Sequence, residues 1–501
     1  LIEKQAIFIS APSGYGKSAV FSQVYKIMTS NCDEKTIILA HSAGVTEDSD
    51  KIQHALKRWI FEINKKSGLN YQIPEDIDLN TYFKTIIWHV QLKGYKIVVL
   101  LDSLESFIVD DFVTLIQHNF DIFPTSIRFV CTSTEGYVEH ICNTNYRFRL
   151  MKIEEFERGE ALQMINSLMR DYHKELNKEI ENALLNIKKE DGTFAYISPL
   201  WVRVTIMIFL EFDSSDFDKI NHSEGLENER IDSYMLHLAK NLPSEPEDLF
   251  LYLLDMGSRF FNSSIFKDII AYIALSPDGV TQENLEILLG DKWNTLSFVY
   301  IRRWLSEYLS DDNKDKKWNF THKILRKATL KNLKSQELFA YRESLKELHI
   351  KDRDLNNILI QSVYTADIEV LKELFVNREN VGDFDPVDTL IHMIIKGELD
   401  NVIEVLRLML GRYDYEYSVA DTIRRVFLKF RNRGLFLELD SQVDIVYSKE
   451  IFNVLFNHYF HNKLIYEDAD FASFLSDLID DYIKDNTEDI SPALLDEIIN
   501  L

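Results

Sequence analysis

The run "IFISAPSGYGKSAVFSQVYKIM", Ile7 to Met28, constrains this chain more than any other stretch. Ile7–Ser10 read as a short buried strand. Pro12, Gly14 and Gly16 then break the pattern, and Val20, Val24, Ile27 and Met28 recur at helical spacing. Strand, glycine loop and helix, closing on Gly16-Lys17-Ser18, spell a phosphate-binding loop. Small residues let backbone N–H groups curl around phosphates, and the helix N-terminus adds partial positive charge. The expected cradle is therefore Ala11, Pro12, Ser13, Gly14, Tyr15, Gly16, Lys17, Ser18 and Ala19. Lys17 would reach the β and γ phosphates, and the Ser18 hydroxyl would ligate Mg²⁺. Ala11 stands where the pattern usually has Gly; as the chain leaves the strand, the position needs a small residue more than a positive φ.

Such a loop needs a second strand that ends in an acid, and "KIVVLLDSLESF" supplies it. Ile97–Leu101 are apolar, and Asp102 at the strand end is placed to hold Mg²⁺ through water. Glu105 is placed to orient or deprotonate an attacking water, although surface acids at such turns are also ordinary. Lys17, Asp102 and Glu105 are thus the candidate catalytic residues, with Ser18 and Asp102 as the metal pair. Three more strands complete a parallel sheet: "TIILAHSAG", "IRFVCTST" and "YRFRLMKI". The second of these is expected beside the loop strand, which would bring Thr132 or Ser133 near the γ-phosphate. The reading for residues 1–152 is an α/β P-loop NTPase domain with ATP or ADP and Mg²⁺ as ligands.

A length of 501 residues allows three or four domains. Acidic residues outnumber basic ones by 81 to 56, a net charge of −25. That sign repels nucleic acid and anionic membrane, so neither is an expected partner. The three cysteines, Cys32, Cys131 and Cys142, lack metal-like spacing and point to a reducing, cytoplasmic compartment. Apolar runs such as "VTIMIFL" are too short to span a bilayer. Residue 1 is Leu and a strand begins almost at once, which reads as a fragment lacking its N-terminal part.

From Glu154 onward the pattern turns helical, giving a helical domain over 153–262. Residues 263–334 read as a winged-helix domain: helix, Pro-Asp-Gly turn, a helix capped by Thr281, a further helix, a charged hairpin and a closing helix. Arg302-Arg303 invites a DNA-binding reading, against which stand the mixed charge of the hairpin "SDDNKDKKW" and the acidic chain. Residues 335–501 read as all-α repeats. "LIQSVYTADIEVLKELF" and "LIHMIIKGELDNVIEVL" are self-similar, with Ala366 and Gly397 at matching positions, a spacing that fits tetratricopeptide-like (TPR) hairpins or a plain helical bundle. The final acidic stretch, "YEDADFASFLSDLIDDYIKDNTEDISPALLDEIINL", fits a solvated face.

In order, "APSGYGKS", "TIILAHSAGVTEDSD", "IVVLLDSLES" and "FTHKILRKAT" resemble the motifs of the STAND NTPases, signal-transduction ATPases with numerous domains. The likeness is to the NACHT branch that includes telomerase-associated protein, nephrocystin and prokaryotic antiviral STAND proteins, and it spans about Ile7 to Leu330. It implies that Pro199, in Ser198-Pro199-Leu200, lies against the adenine, while Pro199 equally starts a helix. It implies that His322 contacts the β-phosphate of ADP and holds a closed state, although a lone histidine is ordinarily a capping or partly buried residue. His41 matches another family position and also fits a structural strand-end histidine. The sensor strand ends Thr132-Ser133-Thr134 without Arg, and Ser106 follows Glu105, which points to slow, switch-like hydrolysis. The implied function is a switch that senses a protein ligand, viral or phage in origin, through its repeats. It would form a homo-oligomer and activate an N-terminal effector in antiviral defence. A STAND-type transcription regulator and a scaffold with an inert nucleotide site stay open beside it.

Overall fold

The computed structural model describes residues 6–44, 49, 51–74, 78–107, 127–135, 148–211, 216, 220, 227–261, 263–276, 279–311, 316–376, 386–395 and 399–412. Cys142, Gly397, the Pro277-Asp278 turn, the tip of the charged hairpin and the acidic final stretch lie outside them. The chain divides into two compact units, Leu1–Asp352 and Arg353–Leu501.

The first unit opens with strand β1 (Ala6–Ser10), helix α1 (Lys17–Asn31), β2 (Thr36–Ser42), α2 (Ile52–Ser67), α3 (Leu79–Leu92), β3 (Lys96–Asp102), β4 (Arg128–Ser133) and β5 (Phe148–Lys152). The strands form one parallel sheet in the order β2-β3-β4-β1-β5. Ile97–Leu101 are buried throughout, as a parallel strand covered on both faces requires. Helix α2 turns Ile52, Ala55, Leu56, Trp59, Ile60 and Ile63 inward at helical spacing, and Asp78 caps α3 by accepting from the Asn80 and Thr81 N–H groups. The sheet is the one the sequence spacing predicts, with β4 directly beside β1. This parallel sheet with its glycine loop fits a P-loop NTPase core.

Helices α4 (Arg158–Asp171), α5 (Lys178–Leu184), α6 (Pro199–Leu210), α7 (Glu227–Asn241) and α8 (Pro246–Phe260) follow. Helix α6 buries Leu200, Trp201, Val202, Val204, Ile206, Ile208 and Phe209, so it runs through the middle of this helical domain. Next come α9 (Ser263–Leu275), β6 (Val280–Thr281), α10 (Gln282–Leu289), α11 (Thr295–Trp304), β7 (Leu309–Asp311), β8 (Lys317–Phe320) and α12 (Lys323–Lys331). The three short strands form an antiparallel sheet in the order β6-β8-β7.

Helix α13 (Ser335–Asp352) packs on this small-sheet segment: Lys267 pairs with Glu337 at 2.6 Å, and the Tyr272 and Tyr341 rings meet at 5.1 Å. The first unit therefore runs on to Asp352, beyond the expected boundary at 335. The second unit holds α14 (Leu355–Thr365), α15 (Ile368–Val376), α16 (Pro386–Ile395) and α17 (Leu399–Arg412), two helical hairpins stacked on one another. Ala366 turns the first hairpin in a left-handed conformation, φ 51°.

Candidate functional site

The loop between β1 and α1 leaves the C-terminal edge of the sheet, where ligands of open α/β sheets bind. Gly14 and Gly16 take φ of +87° and +86°, whereas Ala11 is absent from the positive-φ residues and is 1 % exposed. A small residue is what that position requires, and alanine meets the need. Pro12, Ser13, Ser18 and Ala19 line the exposed rim. The first-turn N–H groups of Lys17, Ser18 and Ala19 have no intrahelical carbonyl to bond, which leaves them for an anion.

Lys17 is buried, and its Nζ donates to the Ala11 and Pro12 carbonyls at 2.8 and 3.0 Å. Burial lowers its pKa against the opposing pull of Glu105 and Asp102. Tyr15 packs on the core of the helical domain, and burial with the nearby Glu155, Glu135 and Glu245 raises its phenol.

Asp102 ends β3, buried, with the Ser42 hydroxyl donating to Oδ2 at 3.0 Å and the Thr132 hydroxyl donating to Oδ1. Thr132 also accepts the Ser103 N–H at 3.1 Å. Its hydroxyl thus links the end of β3 to the residue that follows it, holding the Asp102 carboxylate in place. Ser133, one residue on, donates to Glu105 Oε2 at 3.0 Å. Glu105 lies in a 3₁₀ turn (Leu104–Ser106) that follows Ser103, a non-glycine residue at φ 59°. A turn this constrained fixes where the carboxylate points.

Pro199 opens α6, and the next residue, Leu200, donates its N–H to the Gly14 carbonyl at 3.1 Å. Proline at the first helical position and contact with the loop hold together. A Cβ on Gly14 would lie 3.1 Å from Leu200 Cβ, so the loop and helix approach as closely as glycine permits. The Ser10 and Ser198 hydroxyls are buried without a partner. With the glycine cradle, these polar groups fit a phosphate chain. Ser18 and Asp102 offer hard oxygen donors of the kind Mg²⁺ takes.

His322 stands just before α12 without a side-chain cap hydrogen bond, its ring 5.9 Å from that of Tyr308. Burial, and then the Arg203 charge, hold it below the usual imidazole range. Arg203, on α6, donates to Glu307 at 2.8 Å. His41 is a structural tie: its Nε2 lies 2.6 Å from the Ser49 carbonyl, Phe107 stacks on its ring, and burial lowers its pKa to about 4. Arg302 lies over the Trp318 ring at 5.0 Å, a packing role.

Sequence reasoning missed Ser42 and Lys323. Ser42 is the residue of β2 in register with Asp102, readable only once the strands are paired. Lys323 donates to the Ser106 hydroxyl at 3.0 Å across 217 residues of chain, and no local pattern signals that. Among the described residues no group of three or more His, Cys, Asp or Glu side chains is gathered for a metal, and no helix is long and apolar enough to cross a membrane.

No protein-family model matches the chain, and no curated protein does. Among solved structures, a Walker-type ATPase of Pyrococcus abyssi shares 13 % identity over 65 % of this chain and 91 % of its own, with a TM-score of 0.30. A STAND protein with a tetratricopeptide repeat sensor from Pyrococcus horikoshii shares 14 % identity, over 98 % of this chain and 70 % of its own, at 0.41. The ORC2 protein of Aeropyrum pernix shares 10 % identity, over 66 % and 87 %, at 0.32. These scores are low, so the functional reading rests on the geometry of the site itself.

Proposed function

We propose that the chain is a STAND-class nucleotide switch that binds ATP or ADP with Mg²⁺ and hydrolyses ATP slowly. Lys17 and the loop N–H groups bind the phosphates, and Ser18 and Asp102 hold the cation, which offsets phosphate charge during transfer. Glu105, held by Ser133, orients the attacking water. The observation that carries a switch in preference to a simple enzyme is that two separate helical segments touch the loop region. Leu200 bonds to Gly14, and Lys323 bonds to Ser106. A nucleotide that displaces the loop or the 3₁₀ turn therefore bears directly on both segments.

In this reading 263–334 is a winged-helix domain that packs on the NTPase core and holds the resting state. The helical hairpins of the second unit begin a TPR-like array that senses a protein ligand. ATP binding then drives homo-oligomerisation in the cytoplasm, with an antiviral effector as the output. The test is equilibrium binding of fluorescent ATP and ADP to the full chain. Lys17→Ala is expected to weaken both by roughly 100-fold or more, by loss of a charged contact and the cradle around it. ATP and ADP are expected to give different limited-proteolysis patterns. A wild-type chain that binds neither nucleotide overturns the proposal.

A further inference from the structure

Helix α12 carries four cations, Lys323, Arg326, Lys327 and Lys331. Three are engaged away from the nucleotide site. Arg326 donates to the Ala274 carbonyl at 2.6 Å and to that of Ser276 at 3.2 Å, and Lys327 and Lys331 pair with Glu247 at 2.8 and 2.9 Å. Lys323 differs. It is exposed, it donates to the neutral Ser106 hydroxyl at 3.0 Å, and no carboxylate of the described residues lies within salt-bridge distance of it. An ammonium has three donors, so two are left for other acceptors.

The place of Lys323 gives that spare capacity a meaning. Ser106 closes the 3₁₀ turn that carries Glu105, immediately after Asp102. The Lys323 charge also bears on Lys17, adding to the burial that lowers its pKa. Glu105 and Asp102 act on Lys17 more strongly than Lys323 does, so both cations bear on the same pair of carboxylate-bearing strand-end residues. The adjacent His322 is packed on Tyr308 and biased toward its neutral form, so it brings less charge to the same region.

We infer that Lys323 is a phosphate-binding group of this site, supplied by the small-sheet segment, and that it reads the terminal phosphate of a nucleoside di- or triphosphate. The inference rests on the nucleotide reading above. A phosphate oxygen accepts from an ammonium far more strongly than a neutral hydroxyl does. Lys323 exchanges Ser106 for that oxygen, and the turn bearing Glu105 is released as it does so. The phosphate count of the nucleotide is thereby converted into the position of a segment distant in sequence.

The experiment is calorimetric binding of ATP, ADP and AMP to the full chain, with Lys323→Ala, Lys323→Arg, Ser106→Ala and Lys17→Ala beside wild type. Lys323→Ala is expected to weaken ATP and ADP by about 10-fold, the usual scale for one charged hydrogen bond, and to leave AMP within about twofold. Lys323→Arg should restore most of the loss. Ser106→Ala, which removes only the competing hydroxyl, should leave affinity unchanged or raise it. Equal affinities for wild type and Lys323→Ala overturn this inference alone, as does an equal loss for AMP. A wild type that binds no nucleotide, or is indifferent to Lys17→Ala, overturns the nucleotide reading along with it.

Discussion

At the strand ends, Asp102 receives hydroxyl bonds from Ser42 and Thr132, Thr132 also takes the Ser103 N–H, and Ser133 holds Glu105. The helical side of the same site is attached differently. Leu200 gives one N–H to Gly14, Lys323 gives one bond to Ser106, and Arg203 reaches Glu307 with both partners partly exposed. The first region is a connected, largely buried network in which each group fixes the next. The second is a set of separate contacts, two of them between solvent-accessible side chains, that break singly at small cost. A chain built this way ties its strand-end carboxylates to one another and joins the helical side, the cover, to them through few contacts.

A large effect expected on the strand side of the molecule comes from acid. The His41 ring donates to the Ser49 carbonyl and lies against Phe107, and burial lowers its pKa from 6.5 to about 4. A depressed folded-state pKa contributes stability that is fully present above pH 6.5 and is lost as pH falls toward 4. The shift corresponds to roughly 3 kcal/mol at the acid end. Burial moves His322 in the same direction. Urea unfolding between pH 7 and pH 4 should therefore show a falling midpoint, and His41→Gln, which keeps an N–H donor but does not titrate, should flatten the upper part of that slope. A wild-type midpoint that stays level down to about pH 5 would contradict the assignment.

The seam between the two regions is probed by two glycines with the same backbone and different surroundings. Gly14 at φ +87° has Leu200 where a Cβ would go, whereas Gly16 at φ +86° has nothing within 4 Å. Gly16→Ala bears only left-handed backbone strain, on the order of 1–2 kcal/mol. Gly14→Ala bears that strain and also pushes α6 away, for an expected total nearer 2–4 kcal/mol. The difference between their melting shifts measures how firmly the cover rests on the loop. Equal shifts would show that Leu200 yields without resistance.

What was legible in the sequence follows the same division. The sheet and its loop are written in local pattern: β-branched runs, Gly14 and Gly16 at fixed offsets, an acid at the end of β3. The tolerance of Ala11 follows from its φ, which needs no glycine. Thr132 falls on the strand the pattern indicates, but its bond to Asp102 is decided by strand pairing, which spacing alone does not reveal. The first compact unit reaches Asp352, whereas the sequence pattern begins the repeats at 335. Helix α13 buries Arg342, Lys346 and His349 together with Leu345 and Leu348, and buried polar side chains blur the apolar stripe that marks a helix packed on the preceding segment. Lys323–Ser106 and Arg203–Glu307 join polar residues far apart in sequence, for which periodicity has no signal.

Arg203–Glu307 gives the smallest effect and the cleanest test of the cover as a movable part. Both side chains are partly exposed, 47 % and 30 %, so the pair should contribute only about 0.2–1 kcal/mol to stability. A double-mutant cycle with Arg203→Ala and Glu307→Ala measures that coupling directly. If α6 and the small-sheet segment separate during switching, the pair exists in one state and not in the other, and even this small term shifts the balance several-fold. Both single variants should then unfold at nearly the wild-type midpoint and yet show a changed limited-proteolysis pattern at fixed nucleotide concentration. Unchanged cleavage together with measurable coupling would mean that the contact survives in both states, and the cover would then be as fixed as the strand ends beneath it.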